Sequence, residues 1–447
     1  MRPRSITGPL ILVTLGVIFL INNIWHDIPF WRLAADYWPV LLIVIGLVGL
    51  VEVLYYASRG TAVPPRPFAA GSGLVWLLVI IMFAVWGGTR NGIHIGRLDA
   101  GGVSMLGTDY TYDITADSSV EGIARVVFDN VHGNITLKGQ EGGGLKVSGR
   151  NIVRAFNRAD ADRANQQSQV KVIRQGDLLI VRTEEPQTMR MLNISTDIDI
   201  TVPKNLSIET RGRSGDVTID DIGGTVDVSS SRGDVRLTNI ANDVKVESSH
   251  NGLIRATGLK GNLDLQGRGG DLQIEGVEGQ VTVNGEFAGT LEFQSIAKAL
   301  HFQSSRSDLR AAQVPGGVTL DGGEARLTNL VGPVRFETRD RDVHISDVSD
   351  SLELTVDRGD VHLTQTKTPL PKMQVTVRRS GEVTLAVPEK SAFTLNARAA
   401  RGEVQNDFGS ELQSESSGHQ STLKGRTGNG PEIEIASERG NINVRKN

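Results

Sequence analysis

The chain has 447 residues, a formal net charge of −4 at pH 7 and no cysteine. This length exceeds one ordinary compact domain, and so small a net charge gives no indication of a nucleic acid partner. Without cysteine, disulfide bridges, thiol catalysis and cysteine-ligated metals are excluded. All five Trp lie at or before Trp86, so the sequence divides into two unlike parts near residue 90.

Residues 1–90 contain three apolar runs, at 8–24, 39–56 and 71–88. Each has about 17–18 residues, near the shortest length that spans a bilayer as a helix. Glu52 is the one charged residue within them, and Trp and Tyr cluster at their ends, where amphipathic rings favour the membrane interface. No small-residue cleavage site follows the first run, which argues against a signal peptide. The sequence predicts a three-helix anchor, with the lipid bilayer as its partner.

Basic residues give the predicted orientation of this anchor. Arg2 and Arg4 precede the first run, Arg59 and Arg66 separate the second from the third, and Arg32 alone separates the first from the second. Cytoplasmic loops carry the excess of Lys and Arg. We therefore expect a multi-pass protein of the cytoplasmic (inner) membrane, with a cytoplasmic N-terminus and an extracytoplasmic C-terminal part. Two arginines after the third run weaken this bias.

Residues 5–56 resemble the membrane region of the LiaI/LiaF-like bacterial cell-envelope proteins. The segments that carry the resemblance are GPLILVTLGVIFLINNI and, after a short aromatic loop, WPVLLIVIGLVGLVEVL. The resemblance implies a component of the cell envelope. It also motivates one hypothesis of function, in which the protein senses envelope stress and contacts a membrane signalling protein.

Residues 91–119 are polar and Gly-rich and predict a tether, and 120–212 predict the first coils of a repeat structure. Apolar residues two positions apart predict short strands with one buried face, at Val126 and Phe128, Ile135 and Leu137, and Leu145 and Val147. Residues 155–169 have no Gly or Pro and many good helix formers, so they predict a short helix inserted between strands.

Residues 213–363 repeat five apolar columns at intervals of 16–19 residues. The first column consists of Val217, Val235, Ile254, Leu272, Leu291, Leu309, Ala325, Val343 and Val361; the others lie two, five, nine and eleven residues further on. Each repeat contains two short strands that cannot bury their apolar face alone, so identical coils must stack. The predicted fold is a single-chain parallel β-solenoid with coils of about 18 residues. A sandwich of hairpins, the alternative, would need tight-turn dipeptides between strands.

Residues 364–447 predict irregular last coils and a C-terminal cap. Pro369 and Pro371 interrupt the repeat, and the polar stretch 403–430 predicts a loop or irregular cap. Alternating apolar residues predict two further strands near the end of the chain, at 433–435 and 442–444. A solenoid end requires a cap because an open coil offers unpaired strand edges.

Residues 120–446 also resemble the bacterial adhesin-type family built on β-strand repeats. The motifs are IDITVPKNLSIETRGRSGDVTI, repeats of the form GxVxVxSxxGDVxL, and the close GPEIEIASERGNINVRK. The resemblance implies a β-solenoid on the cell exterior. It implies no established activity, because the family's name is itself a conjecture about adhesion.

Three motifs suggest specific sites. An acidic row precedes the first column, at Asp216, Asp234, Asp271, Asp308, Glu324, Asp342 and Asp360. Stacked carboxylates suit Ca²⁺, but Asp also stabilises turns by bonding its own backbone, and nearby arginines favour the turn interpretation. The tripeptide RGD at 232–234 and 358–360 fits the turn consensus of the repeat. His344 and His362 should stack on one outward face, where no third metal ligand is visible.

Nothing in the sequence predicts catalysis or a cofactor: no nucleophile elbow, phosphate loop or zinc motif is present. No Tyr follows Tyr112, so a polysaccharide-cleaving groove would lack aromatic platforms. The predicted function is a non-catalytic adhesin-like or envelope-binding module; envelope-stress sensing and an envelope glycan enzyme are the alternatives. The predicted surface is a polar outward column suited to a repetitive anionic envelope polymer, with its basic residues at Arg236, Arg255, Arg310 and Arg326.

Overall fold

The computed structural model describes residues 107–184 and 193–447, nearly all within a compact unit at Asp109–Asn447. The predicted membrane helices at 8–24, 39–56 and 71–88 lie outside the described residues, as does most of the predicted tether. In the part of the chain that is described, no helix is both long enough and apolar enough to cross a membrane.

The unit begins with a strand where the sequence predicted a tether. The tether prediction is therefore wrong over Thr108–Ser118, in which half-buried residues alternate with exposed ones. The helix predicted at 155–169 is confirmed. The first elements are β1 (Thr108–Ser118), β2 (Arg125–His132), β3 (Ile135–Gln140), β4 (Leu145–Ala155), α1 (Arg158–Gln167), β5 (Val170–Gln175), β6 (Leu178–Thr183), β7 (Asn193–Pro203) and β8 (Ser207–Ser214).

Helix α1 packs against one end of the strand stack. It begins after Asn157, whose side chain accepts a backbone N–H of the first turn, and it buries Ala161 and Ala164 against β4. The Tyr112 hydroxyl on β1 donates to Asp162 on the helix at 2.5 Å. Burial, together with this hydrogen bond, raises the pKa of Tyr112 to about 12.

The repeat region forms short strands at the predicted apolar columns. They are β9 (Val217–Asp220), β10 (Val226–Ser230), β11 (Val235–Thr238), β12 (Val244–Ser249), β13 (Ile254–Leu259), β14 (Leu263–Gly269), β15 (Leu272–Val277), β16 (Val281–Phe287), β17 (Leu291–Ile296), β18 (Leu300–Gln303), β19 (Ser307–Ala311), β20 (Val314–Leu320), β21 (Glu324–Val331), β22 (Val334–Asp340), β23 (Asp342–Ser349), β24 (Ser351–Arg358) and β25 (Val361–Thr364).

The C-terminal part contains more regular structure than predicted. The loop or irregular cap expected at 403–430 instead holds three strands and a 3₁₀ turn at Gly409–Glu411. The two strands predicted at the end of the chain are confirmed. The elements here are β26 (Lys372–Ser380), β27 (Val383–Val387), β28 (Thr394–Ala399), β29 (Val404–Asn406), β30 (Leu412–Ser417), β31 (Gln420–Arg426), β32 (Glu432–Ser437) and β33 (Ile442–Lys446).

Two sheets face each other across one core. Sheet A has the strand order β1-β4-β7-β3-β9-β11-β13-β15-β17-β20-β21-β23-β25-β27-β33-β29. Sheet B runs β5-β6-β2-β8-β10-β12-β14-β16-β18-β19-β22-β24-β26-β32-β28-β31-β30. From β8 to β18 the chain alternates between the sheets, and every pairing there is parallel. This stretch confirms the predicted β-solenoid.

Like residues stack on like in the core, as the columns predicted. Val217 pairs with Val235, and Val235 pairs with Ile254. All three are no more than 1% exposed. Their side chains and those of the other columns form a continuous cluster along the unit. Stacking therefore supplies the burial that a single coil lacks.

One coil runs backwards, which the sequence analysis did not predict. Strand β19 pairs antiparallel with both β18 and β22 in sheet B, and β20 pairs antiparallel with both β17 and β21 in sheet A. The predicted column position of Leu309 is therefore wrong: Leu309 lies opposite Phe302 and Phe336 in sheet B, not beside Leu291. Between β8 and β27 the stack is parallel except at this reversed coil, residues 307–320; further antiparallel pairs, β4–β7, β5–β6, β28–β31 and β30–β31, lie towards its two ends.

Both ends of the stack interleave strands that are distant in sequence. Near the N-terminal end, β3 lies between β7 and β9, and β2 lies between β6 and β8. At the other end, β33 lies between β27 and β29, and β32 lies between β26 and β28. The last strands of the sequence are thus not the last strands of the stack.

Glycines recur where adjacent coils turn the same corner, as at Gly215 and Gly233. Gly233 has φ of 122°, and a Cβ atom there would lie 2.1 Å from the carbonyl oxygen of Gly215 in the preceding coil. Both the left-handed backbone and the close approach of the next coil require glycine at this position.

Candidate functional site

The predicted basic column is divided between the two sheets. Arg236 and Arg255 are direct neighbours on sheet A, and Arg326 lies further along the same outward row. Arg310 is on sheet B, opposite His301 and Arg335. Its predicted place in the column is wrong, because β19 belongs to the reversed coil.

The outward row of sheet A is nonetheless continuous. Thr319 on β20 occupies the position predicted for Arg310, between Glu292 and Arg326. From β9 to β25 the row is Thr218, Arg236, Arg255, Gln273, Glu292, Thr319, Arg326, His344 and His362. Every strand in this stretch contributes a polar side chain. The reversal changes the direction of the backbone but leaves no gap in the outer face.

Carboxylates and amides of the same face contact the arginines of this row. Arg236 pairs with Asp234 at 2.7 Å and with Asp216 at 3.4 Å. The Nε of Arg326 donates to Glu324 at 2.5 Å, and this hydrogen bond raises the pKa of Arg326. The row therefore presents compensated charges, not an uninterrupted positive strip.

The acidic row is a ladder of hydrogen bonds between coils. The backbone N–H of Asp234 donates to Oδ1 of Asp216 at 2.9 Å, and that of Leu253 donates to Oδ1 of Asp234 at 2.9 Å. Near the other end of the row, the N–H of Asp360 donates to Asp342 at 2.8 Å. The sequence predicted that each Asp bonds its own turn; instead, each of these carboxylates accepts a backbone N–H of the next coil. Asp308 departs from the row, because β19 places it on sheet B.

The two RGD tripeptides are part of this ladder. Both carboxylate oxygens of Asp234 are engaged, one by the backbone of the next coil and one by Arg236. In the second tripeptide, Asp360 accepts the N–H of Glu382 at 2.8 Å, and Arg358 pairs with Asp340 at 2.8 Å. These contacts agree with the prediction that each RGD tripeptide is part of the turn consensus of the repeat.

The stacking predicted for the two histidines is confirmed. His344 and His362 are paired in register on β23 and β25. Their ring centroids are 4.8 Å apart, and the ring planes differ by 18°. Across the described ranges, no group of three His, Cys, Asp or Glu side chains is arranged to hold a metal ion.

Sheet B carries an open groove that the sequence analysis missed. Its volume is about 420 Å³. The charged side chains that line it are Arg125, Glu209, Asp227, Asp243, Lys245 and Asp264. Burial raises the pKa of Asp227 and Lys245 opposes this, while the nearby carboxylates of Glu209 and Glu247 raise it further. No sequence motif marks the groove, because it forms only when outward residues of successive coils align.

This architecture defines the class: an all-β repeat protein of the β-solenoid type. Residues 157–445 match the profile of the Toastrack DUF4097 family, and the chain therefore belongs to that family. No curated protein matches the chain.

Two solved structures resemble the chain distantly. One is a provisionally named cell adhesion protein from Clostridium sporogenes ATCC 15579, with 9% identity and a TM-score of 0.17, covering 76% of this chain and 100% of that one. The other is a provisionally named lipid binding protein from Parabacteroides distasonis ATCC 8503, with 9% identity and a TM-score of 0.25, covering 76% and 97%. Likenesses this remote carry no argument about what the chain does.

Proposed function

We propose that this protein is a non-catalytic, membrane-anchored β-solenoid that binds an envelope polymer outside the cytoplasm. Residues 1–90 would hold it in the bilayer, and the outer face of sheet A would provide the binding surface. The observation that carries this proposal is the row from Thr218 to His362, which is polar on each of nine adjacent strands.

The geometry of that row suits a long partner. Nine strands at about 4.8 Å each extend over roughly 40 Å, and regular spacing suits a polymer with repeating groups. Arg236 and Arg326 already have carboxylate partners, so each new contact must exchange one ion pair for another. We therefore expect many weak contacts, whose strength falls as salt screens them.

The carboxylates of the acidic row support a binding role over a catalytic one. Asp216, Asp234 and Asp342 accept backbone N–H groups of neighbouring coils. Carboxylates held in this way stabilise the stack and are poorly placed to shuttle protons to a substrate.

The test compares two sets of three substitutions in the full-length protein, each removing three positive charges. The first changes Arg236, Arg255 and Arg326 on sheet A to Gln. The matched control changes Arg310, Arg335 and Arg378 on sheet B to Gln. Retention on washed cell envelopes is then measured at low and high salt.

We expect the sheet A variant to lose retention, with intermediate losses for single substitutions, and the sheet B variant to behave as the unchanged protein. Equal losses of retention in the two variants would indicate that retention depends on net charge and not on a defined face. No loss of retention in either variant would reject the proposed surface. Two results together would favour envelope-stress sensing: retention that requires only residues 1–90, and cross-linking of the protein to a specific membrane protein. Glycan turnover that one carboxylate substitution abolishes would favour an enzyme.

A further inference from the structure

His344 and His362 form the strongest unassigned feature of the described residues. They are in-register neighbours on two parallel strands of sheet A, with nearly parallel rings 4.8 Å apart. The His344 side chain is 43% exposed, so solvent and dissolved ions reach the pair. Rigid strands hold both imidazoles on the same side of the sheet, which limits the entropy lost when a ligand joins them.

A third side chain that can bind a metal ion lies beside the pair. Oε1 of Glu324 is 3.4 Å from Nε2 of His344. Arg326 donates to both carboxylate oxygens of Glu324, at 2.5 and 3.0 Å, so a metal ion at Oε1 would share or replace the Arg326 contact. The sequence pattern does not show this ligand, because Glu324 is two residues before the outward column and reaches His344 diagonally from the adjacent strand.

The local charge favours a cation. Glu324 and Asp342 are paired neighbours on β21 and β23. The backbone N–H of Asp360 donates to the carboxylate of Asp342. These three carboxylates flank the two imidazoles, and Arg326 provides one opposing positive charge.

Imidazole nitrogen is a preferred ligand of zinc, copper and nickel ions, at about 2.0–2.1 Å from zinc. We propose that His344 and His362 bind one divalent transition-metal ion, with Glu324 as a third ligand and water in the open positions. The three side chains do not already converge on one point, so the side chains would have to rotate to bring both imidazole nitrogens to the ion. Because the site would keep open positions, it could exchange ligands.

The test uses the full-length chain in mild detergent, without a polyhistidine tag, titrated calorimetrically with Zn²⁺ and with Ni²⁺. The absence of cysteine removes thiolate competition. The variants are His344→Gln, His362→Gln and Glu324→Gln. The matched control is His301→Gln, which removes a histidine from sheet B opposite Arg310 and Thr282. Circular dichroism melting curves check that each variant remains folded.

We expect the unchanged protein and His301→Gln to bind a single ion with equal affinity. His344→Gln and His362→Gln should lose that binding, and Glu324→Gln should weaken it. Mg²⁺, which prefers oxygen ligands, should not compete. Absence of binding by the unchanged protein, or full binding by folded His344→Gln, would show that the pair is only a packing contact. This result is independent of envelope retention, so each proposal can fail alone.

Discussion

The parallel coils from β8 to β18 and the reversed coil at 307–320 solve one packing problem in two ways. Both place alternating apolar residues in the shared core: Val235 and Leu309 are equally buried. In the parallel coils the chain crosses from sheet to sheet at every turn, whereas in the reversed coil it enters and leaves by hairpins. The apolar pattern therefore determines which residues are buried, but it does not determine the direction in which the chain runs.

The turns decide the direction. After β20 the chain folds back through Asp321, Gly322 and Gly323, and Oδ1 of Asp321 accepts the N–H groups of Gly323 and Glu324 at 2.8 and 2.7 Å. These hydrogen bonds lower the pKa of Asp321 and are typical of a side chain that mimics a backbone turn. In the parallel coils the corner glycines serve instead to admit the neighbouring coil.

The largest expected effect is all-or-none and tests the reversal itself. The chain has no cysteine, so an introduced pair is unique. His301→Cys with Arg310→Cys should form a disulfide on mild oxidation, because the two residues are directly opposite in an antiparallel pair. Mass spectrometry of proteolytic fragments would detect the link.

The matched pair is Glu292→Cys with Arg310→Cys, which an uninterrupted parallel solenoid would bring together. We expect no disulfide there, because the two residues belong to different sheets. A disulfide in this second pair and not in the first would show that the coil at 307–320 is parallel to its neighbours.

The next effect contrasts a corner glycine with a hairpin glycine. Gly233→Ala should cost about 1–3 kcal/mol from backbone strain alone, and more from the contact with Gly215. Gly322→Ala should change the free energy of unfolding by no more than about 0.5 kcal/mol, since no atom lies within 4 Å of the added Cβ. Chemical denaturation of both variants measures the difference. If both substitutions lowered the free energy of unfolding equally, the close contact between Gly233 and Gly215 would not be present.

The smallest effect concerns the groove on the parallel coils. The pKa of Asp227 is raised in the folded state above its ordinary 3.8, so the folded protein binds the proton more tightly than the unfolded chain. The ionised carboxylate therefore lowers stability at neutral pH. Asp227→Asn should raise the melting temperature at pH 7, and this gain should shrink as the pH falls through the raised pKa toward about 3.8.

Asp264→Asn, in the same groove, removes the same charge and serves as the control. If the higher melting temperature of Asp227→Asn persisted below pH 3, the removal of a buried negative charge would not be its cause.

The sequence predicted the coil, its core columns and the stacked histidines, because a fixed spacing of apolar residues determines which side chains face inward. It failed at Leu309 and Arg310, where inversion of a coil preserves that alternation and exchanges the sheets. The interval of 16 residues from Leu309 to Ala325 was the available signal. The groove around Asp227 and the diagonal contact of Glu324 were not predicted, because both depend on how residues of different coils align. The sequence of a single repeat does not contain this information.

The interleaved strands β32 and β33 are part of the wall and not an addition to its end. In a simple stack, removal of the outermost coil shortens the stack and leaves the remaining coils paired. Here β32 and β33 fill a slot between β26–β27 and β28–β29. Their removal would leave each of these four strands without one neighbour, and so would create unpaired edges inside both sheets.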